Sequence, residues 1–404
     1  MKKLFYIIIA LAVVMTGCKD GDSDLDKLID DYEKQTEVTV EPVEISLNRD
    51  AISEQTEVIP TESDDPDYFN DYIENSSFSR TVYVNYNGEN AEVSGDVADL
   101  SVSVNGAHVV IRSTKSGVCY KLTGKSDNGS FKVYSDRRFQ INANGLSLTN
   151  PFGAAINSQS GKTMYFVTEG NEVTLTDGKE YSRTPSGEDE KATLFSEGQI
   201  VFSGTGLLTI TSNSKNAIAS DDYVRFRVGT NIYLVSMAGH GLKTNDGVFI
   251  NGGVLNILVK GDGMKGINSE DDIVVNGGRT TIITSGSTKI MDNDTTSTAA
   301  IKCDSVLTIN NGELRLLTSG NGSKGINVNT NMVMNGGSLF VVNNGNNDVA
   351  KSKGVKVDGD LNINGGHFYV YCKSQNKLDV KGNFRIANGY KSRQEVHQLF
   401  ELIY

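Results

Sequence analysis

The 404-residue chain contains no tryptophan, only 5 prolines and only 4 cysteines. The three cysteines after Cys18 lack metal-type spacing, so they predict buried free thiols or one disulfide and not a zinc site. Neither a His-Glu-x-x-His helix nor a nucleophile elbow occurs, which excludes the hydrolase classes that depend on those motifs. The four histidines are dispersed along the chain: His108, His240, His367 and His397.

Apolar residues make up 38% of the chain, but they recur in short alternating runs and not at helical spacing. Alternation with a period of two is typical of β-strands that bury one face. The sequence therefore predicts an all-β protein. Its length permits one long domain or two ordinary ones.

The N-terminus is predicted to carry a lipoprotein signal peptide over residues 1–17. Two lysines precede an apolar run over residues 4–15, which is too short for a membrane span. The segment Met15-Thr16-Gly17-Cys18 resembles the lipobox of bacterial lipoproteins, in which the cysteine is acylated. We therefore predict a lipid anchor on Cys18 at the bacterial outer membrane. The alternative is an ordinary signal peptide followed by a chance cysteine.

Charge divides the rest of the chain. Residues 19–74 hold 19 acidic against 4 basic side chains, a net charge of −15, and such a stretch repels itself and buries little apolar surface. We therefore predict a flexible tether over residues 18–77. Residues 75–404 carry 32 basic and 31 acidic side chains without a basic stripe, which argues against nucleic-acid binding. The acidic run at 19–24 indicates either an export signal to the cell surface or a solvated linker.

An internal repeat fills the second half of the chain. An Ile, Leu or Val precedes a turn asparagine by nine residues in five segments, and successive turns are 25, 34, 25 and 29 residues apart. A weaker copy begins at Ala217. The five segments run from Gly241 to Gly253, Gly266 to Gly278, Ala300 to Gly312, Gly325 to Gly337 and Gly354 to Gly366.

Each repeat reads as short strands joined by turns, since Asn-Gly-Gly suits a bend with positive φ. The residues just before the turns, Ile250, Val275, Ile309, Met334 and Ile363, are predicted to stack in one inward column. Such repeats coil into a solenoid. We predict a single-stranded right-handed parallel β-helix over residues 78–390, with ten to twelve turns of about 25 residues, closed by a C-terminal capping segment over 391–404.

The repeated Gly-Ile-x-x-x-Asp to Asn-Gly-Gly unit resembles a family of bacterial β-helix proteins that bind cellulose and acidic polysaccharides and are related in fold to pectate lyases. The resemblance covers roughly residues 95–390 and includes the stretch from Ser203 to Ile210. It implies a carbohydrate-binding surface, with calcium as a possible cofactor.

Acidic side chains recur three and four positions after the Ile, Leu or Val of each repeat. Hard cations such as Ca²⁺ take six to eight oxygen ligands, so stacked carboxylates suggest calcium sites; the alternative is that they cap the turn backbones. The candidate ligands are Asp221, Asp222, Asp246, Glu270, Asp271 and Asp272.

Two further sets are candidates for carbohydrate binding. Lys243, Lys302 and Lys356 alternate with asparagines one position after the Ile, Leu or Val, and they either contact sugar carboxylates or pair with the neighbouring aspartates. Aromatic faces stack on sugar rings, unless the segment from Tyr390 to Tyr404 folds back over them. The outward positions of this second set are Arg315, Phe340, Tyr369 and Tyr371.

These features lead us to expect a monomeric, lipid-anchored cell-surface protein that binds a plant-type or acidic polysaccharide without cleaving it. A calcium-dependent polysaccharide lyase is the first alternative, with Lys243, Lys265 or Lys302 as the base that removes a proton beside a uronate carboxylate. A structural or adhesion protein of the cell surface is the second.

Overall fold

The computed structural model describes residues 43–50, 52, 56–62, 66–291, 294–387 and 389–391. They form an all-β parallel solenoid of about 11 turns, as the sequence predicted. The only helical elements in these ranges are α1 (Pro66–Asn70) and a 3-10 turn (Ile73–Asn75). The predicted signal peptide, Cys18 and the capping segment from residue 392 onward lie outside the described residues. Within the described part, no helix is both long and apolar enough to cross a membrane.

The described residues contain 36 strands. The first thirteen are β1 (Arg80–Asn87), β2 (Asn90–Gly95), β3 (Ser101–Asn105), β4 (Ala107–Ser113), β5 (Val118–Ser126), β6 (Gly129–Ser135), β7 (Phe139–Asn150), β8 (Ile156–Ser158), β9 (Met164–Thr168), β10 (Val173–Asp177), β11 (Ala192–Ser196), β12 (Ile200–Ser203) and β13 (Leu207–Ser212). The next twelve are β14 (Asn216–Ser220), β15 (Val224–Phe226), β16 (Asn231–Ser236), β17 (Leu242–Thr244), β18 (Val248–Ile250), β19 (Val254–Val259), β20 (Lys265–Ser269), β21 (Ile273–Val275), β22 (Arg279–Thr284), β23 (Lys289–Met291), β24 (Asp294–Thr296) and β25 (Ala299–Cys303). The last eleven are β26 (Leu307–Ile309), β27 (Glu313–Thr318), β28 (Lys324–Val328), β29 (Met332–Met334), β30 (Ser338–Asn343), β31 (Lys353–Val357), β32 (Leu361–Ile363), β33 (His367–Cys372), β34 (Leu378–Val380), β35 (Phe384–Ile386) and β36 (Gly389–Lys391).

Each regular turn contributes one strand to each of three stacks. The short-strand face contains β12, β15, β18, β21, β26, β29, β32 and β35, and the long-strand face contains β10, β13, β16, β19, β22, β27, β30 and β33. The third stack, which we call the lysine face, contains β14, β17, β20, β25, β28, β31 and β34. The 34-residue step of the repeat is explained by the antiparallel hairpin β23–β24, which is inserted before β25.

The predicted inward columns are confirmed by the strand register. Ile250 pairs with Val275, then Ile309, Met334 and Ile363 follow on successive turns, and all five are at most 7% exposed. Like residues therefore stack on like residues along the axis, and burial of these apolar columns stabilises the solenoid.

The Asn-Gly-Gly turns work through both residue types. The second glycine takes positive φ, as at Gly253 (83°) and Gly278 (78°), which L-residues rarely adopt. The asparagines form an amide ladder on the outside of the turns, with Nδ2 of each donating to Oδ1 of the asparagine one turn before. The distances are 3.2 Å for Asn276 to Asn251 and 2.8 Å for Asn310 to Asn276, Asn335 to Asn310 and Asn364 to Asn335.

The glycine of the Gly-Ile pair is required by a close approach in the core. A Cβ on Gly266 would lie 2.2 Å from Cγ2 of Ile282 and 2.6 Å from the carbonyl oxygen of Ala300. Gly241, Gly325 and Gly354 meet the equivalent core side chain at 2.2–2.4 Å. The small residue that opens each repeat is therefore set by packing against the long-strand face.

The predicted tether does not extend to residue 77. The described residues between 43 and 76, which we call the N-terminal strap, lie on the solenoid. The strap's Asn48 exchanges hydrogen bonds with Asn256 on the long-strand face, at 3.2 and 2.8 Å. The composition of the strap does not predict this docking, because its acidic side chains pair with arginines that are distant in sequence.

The strongest of these contacts is a buried ion pair. Asp71 accepts from Nε of Arg225 at 2.6 Å and from the hydroxyl of Tyr223 at 2.6 Å, and the side chains of Asp71 and Arg225 are 1% and 7% exposed. Two residues further along the chain, Arg227 pairs with Glu57 at 2.9 Å and with Glu74 at 2.7 Å. The described contacts of the strap fall on the short-strand and long-strand faces and leave the lysine face open.

Candidate functional site

The predicted lysine ladder is present on the lysine face. Lys243, Asn268, Lys302, Asn327 and Lys356 stand in register on β17, β20, β25, β28 and β31. Stacked strands are about 4.8 Å apart, so lysines on alternate turns repeat at about 9.6 Å. A regular row of cations runs parallel to the solenoid axis.

A second column of lysines lies beside the first. The sequence pointed to Lys265 as a candidate base but did not predict the column. Lys265, Ala299, Lys324 and Lys353 are in register two residues before the repeat's Ile or Val. The sequence pattern that predicts this column is a lysine two residues before the Ile or Val, which occurs in three of the repeats. Neighbouring carboxylates offset these lysines, so the net charge of residues 75–404 is close to zero and did not reveal the basic stripe.

Most of these lysines already have an acceptor. Lys243 pairs with Glu270 at 3.1 Å and Lys356 with Asp358 at 2.7 Å. Lys302 pairs with Asp304, and Lys353 pairs with Asp379. Nζ of Lys265 donates to the carbonyl of Gly263 at 2.7 Å. The alternative that the lysines pair with neighbouring carboxylates therefore holds for the three predicted residues Lys243, Lys302 and Lys356.

Lys324 differs from its neighbours. It is partly buried, and its Nζ has no hydrogen-bond or ion-pair partner among the described residues. Burial, reinforced by the ammonium groups of Lys356, Lys353, Lys265 and Lys302, lowers the pKa of Lys324 to about 8. The local field at Lys324 is therefore positive and lacks a compensating carboxylate.

His240 lies at one end of this column as a neutral side chain. Its Nδ1 accepts from the backbone N–H of Lys265 at 2.9 Å. Burial, together with the charges of Lys265 and Lys243, lowers the pKa of His240 to about 3. His240 therefore stays uncharged at neutral pH and contributes packing and a hydrogen bond to the lysine face.

The six candidate calcium ligands do not converge on one point. Asp222 Oδ1 accepts from the backbone N–H of Tyr223 at 2.8 Å, and Asp272 Oδ1 accepts from that of Val306 at 2.9 Å. Within the described residues, no three of the six lie within reach of one ion. The reason is that successive turns separate them along the axis, and turn amides or lysines engage the oxygens of four of them. The residues concerned are Asp221, Asp222, Asp246, Glu270, Asp271 and Asp272.

Asp221 instead joins two carboxylates that the sequence did not single out. Ligand atoms of Asp189, Glu197 and Asp221 lie within 4.8 Å of one another. Burial, followed by the charge of Asp221, raises the pKa of Glu197. Three carboxylate oxygens suit a hard cation. Lys191, however, lies 2.8 Å from Asp189 and 2.6 Å from Asp221, and would have to withdraw before an ion bound.

The predicted aromatic platform is partly covered. Tyr369 is 9% exposed and packs in a cluster with Val342 and Ile45 of the N-terminal strap. Phe340 and Tyr371 are half-buried against the same cluster, and Arg315 pairs with Glu313 at 2.6 Å. The cover expected from the C-terminal segment is thus provided, in the described part of the chain, by the N-terminal strap.

A separate polar cleft of about 580 Å³ lies where the N-terminal strap meets the first turns. Its lining includes Asn75, Arg137, Arg138, Lys162 and Gln199. None of the predicted site residues belongs to it.

Comparison with known proteins identifies the family. A family model described as "Carbohydrate-binding domain-containing protein" matches residues 105–273 and 263–348, more than half of the chain. A solved structure, the polysaccharide lyase-like protein from C. thermocellum in a gadolinium derivative, is 18% identical with a TM-score of 0.43, covering 77% of this chain and 98% of that chain. No curated protein matches at a significant level. The matched ranges include β17 to β28 of the lysine face, and the chain belongs to the family of carbohydrate-binding domain-containing proteins.

Proposed function

We propose that this protein is a cell-surface lipoprotein that holds acidic polysaccharide on the lysine face without cleaving it. The observation that carries the proposal is the pair of lysine columns on the face that the N-terminal strap leaves open. Membership of a carbohydrate-binding family supports polysaccharide as the ligand, and the cationic columns favour an anionic one.

A repeating surface suits a repeating ligand. Lys243, Lys302 and Lys356 recur on alternate turns, so a linear polyanion that lies along the axis meets several cations in succession. Single surface ion pairs contribute little free energy, but linked contacts add through a high effective concentration. Anchoring through Cys18 would hold the captured polymer at the outer membrane, with the protein acting as a monomer.

The arrangement supports binding over lyase chemistry. Each of the bases considered, Lys243, Lys265 and Lys302, already donates a hydrogen bond or an ion pair from Nζ. Asp221 of the acidic cluster directly follows β14, three turns before Lys302, which is about 14 Å along the stack. Lys243 is only one turn from Asp221, but its Nζ pairs with Glu270 on the following turn. Neither of these lysines therefore stands as an unpaired base at the cluster, as proton abstraction requires.

The direct test uses the protein with immobilised polygalacturonate at neutral pH, with and without Ca²⁺. We expect retention on the polymer, release by salt because the contacts are exposed ion pairs, and no rise in absorbance from an unsaturated product. Immobilised neutral dextran serves as the control. Steady formation of unsaturated product would make the protein a lyase, and absence of retention would refute the acidic-glycan proposal.

Calcium assistance is proposed at Asp189, Glu197 and Asp221. If the ion binds the folded state there, Ca²⁺ should raise the melting temperature relative to a chelator by mass action, and Asp221→Asn should remove the difference. Asp246→Asn, a predicted ligand outside the cluster, should leave it intact. Identical melting curves in calcium and chelator would assign these carboxylates to pairing with Lys191 alone.

A further inference from the structure

The turn that contains β28 presents an isolated cation. Lys324 stands between Ala299 and Lys353 in its own column and beside Lys302 and Lys356 of the neighbouring column. Ala299, which precedes Lys324 in this column, is uncharged. The next lysine in that direction is therefore Lys265, one turn beyond Ala299. Five ammonium groups therefore surround one patch of three to four turns.

The charges around Lys324 are unequally compensated. The groups that face it are the ammonium groups of Lys265, Lys302, Lys353 and Lys356, together with the carboxylates that pair with three of these lysines. Those carboxylates are Asp304, Asp358 and Asp379. Each carboxylate is engaged by another lysine, so of these five lysines Lys324 alone has no acceptor within the described part of the chain.

The side-chain amide of Asn327, on the same turn as Lys324, is also incompletely hydrogen-bonded within the described residues. Asn327 is 8% exposed, and its Oδ1 has no hydrogen-bond partner within the described residues. A partly buried cation and a buried orphan acceptor are both costly when left unmatched. Lys324 and Asn327 lie three residues apart on β28. An acidic sugar can match both, because its oxyanion accepts from the lysine and a hydroxyl group can donate to Oδ1 of Asn327.

We propose that Lys324 is the anchoring subsite of the lysine face and binds one oxyanion, a carboxylate or a sulfate, of an acidic polysaccharide. This inference rests on the proposed function and assigns its central contact. Lysine acts as a point charge with three donors, so the ligand's anion would receive Nζ–H bonds from Lys324. Lys302 and Lys356 would keep their carboxylate partners and use their remaining donors for neighbouring oxygens of the polymer.

Affinity that depends on Lys324 should vary with pH, whereas binding through the other, paired lysines requires no such dependence. Since the free protein holds the pKa of Lys324 near 8 and a bound anion favours the ammonium form, affinity should fall by about tenfold between pH 7 and pH 9. The same depressed pKa means that protonated Lys324 costs stability below pH 8, a cost that is relieved as the pH rises from 8 towards 10.5. Lys324→Met should therefore fold with an unchanged or higher melting temperature at pH 7.

The experiment measures binding of the full chain to polygalacturonate and to dextran sulfate, with dextran as the neutral control, at pH 7 and pH 9. We expect Lys324→Met to bind about tenfold more weakly at pH 7 and to lose the pH step, while Lys162→Met, an exposed lysine near the N-terminal cleft, behaves as wild type. A preference between the two polymers distinguishes carboxylate from sulfate.

A second readout is the rate at which acetic anhydride modifies Lys324, followed by mass spectrometry. A bound polymer should slow this reaction, because it protects the amine and raises its pKa. If wild type binds but Lys324→Met binds equally well with the same pH profile, the inference is wrong and the proposed function stands. If wild type binds neither polymer, the proposed function itself fails.

Discussion

Replacing Asp71 with alanine is expected to lower the free energy of unfolding by about 3–5 kcal/mol, because it leaves the buried guanidinium of Arg225 without its partner. Arg225 is 6% exposed and also lies over the ring of Phe249, with 4.4 Å from Cζ to the ring centroid, so it cannot easily turn to water. Chemical denaturation of the two proteins measures the difference.

The controls for this variant separate charge burial from loss of strap contacts. Glu62→Ala, at an exposed strap position, should change the free energy of unfolding by less than about 0.5 kcal/mol. The double variant Asp71→Ala with Arg225→Met should be more stable than Asp71→Ala alone, since it removes the orphaned charge. If Asp71→Ala unfolds like wild type and gains no protease-sensitive site in the N-terminal strap, the strap does not dock through this pair.

Reversing two charges of the lysine face should weaken polygalacturonate binding by about 100-fold. Each charge-assisted hydrogen bond contributes about 1.5 kcal/mol or more, and two such losses correspond to about that factor. The variant is Lys302→Glu with Lys356→Glu, which removes two neighbours on alternate turns and places new carboxylates near Asp304 and Asp358. Binding isotherms at low and high salt measure the effect.

The matched control reverses two lysines that lie off this face, Lys162→Glu with Lys260→Glu, and carries the same net charge change. It should retain most of the affinity, because long-range attraction is screened at physiological salt. Equal losses in both double variants would show that net charge alone governs binding. Melting temperatures of the two variants should be compared first, so that reduced binding is not caused by unfolding.

The neighbouring columns show why a sequence pattern can locate a surface without giving its chemistry. The offset of Lys243, Lys302 and Lys356 within the repeat was sufficient to predict that they stack. Pairing of these lysines with neighbouring carboxylates was one of the two alternatives that the sequence allowed. The sequence did not indicate that Lys324 lacks such a partner among the described residues, because each side chain chooses among several acceptors in space.

Whether the predicted aromatic and acidic residues form binding sites likewise depends on contacts with residues outside the repeats. Tyr369 was correctly placed outward on its strand, but Ile45 covers it from more than 300 residues earlier in the chain. Asp221 was correctly placed on a turn, but its carboxylate neighbours Asp189 and Glu197 precede the recognised repeats. Glu197 and Asp221 directly follow the paired strands β11 and β14 and so are equivalent, but Glu197 precedes the repeats that the sequence pattern identifies. Tyr369 and Ile45 have no equivalent positions, so no period predicts their contact.

The sequence by itself determined the solenoid, its strand register and the inward columns. An Ile, Leu or Val at a fixed offset from the turn in every repeat, with a glycine at the positive-φ position, favours one way of stacking the turns that buries the inward apolar columns. Tertiary structure alone decided the docking of the N-terminal strap, which face the strap leaves open and, within the described ranges, the lack of a partner for Lys324. Those features follow from long-range pairing of charges, such as Asp71 with Arg225, whose partners are fixed by distance in space and have no period in the chain.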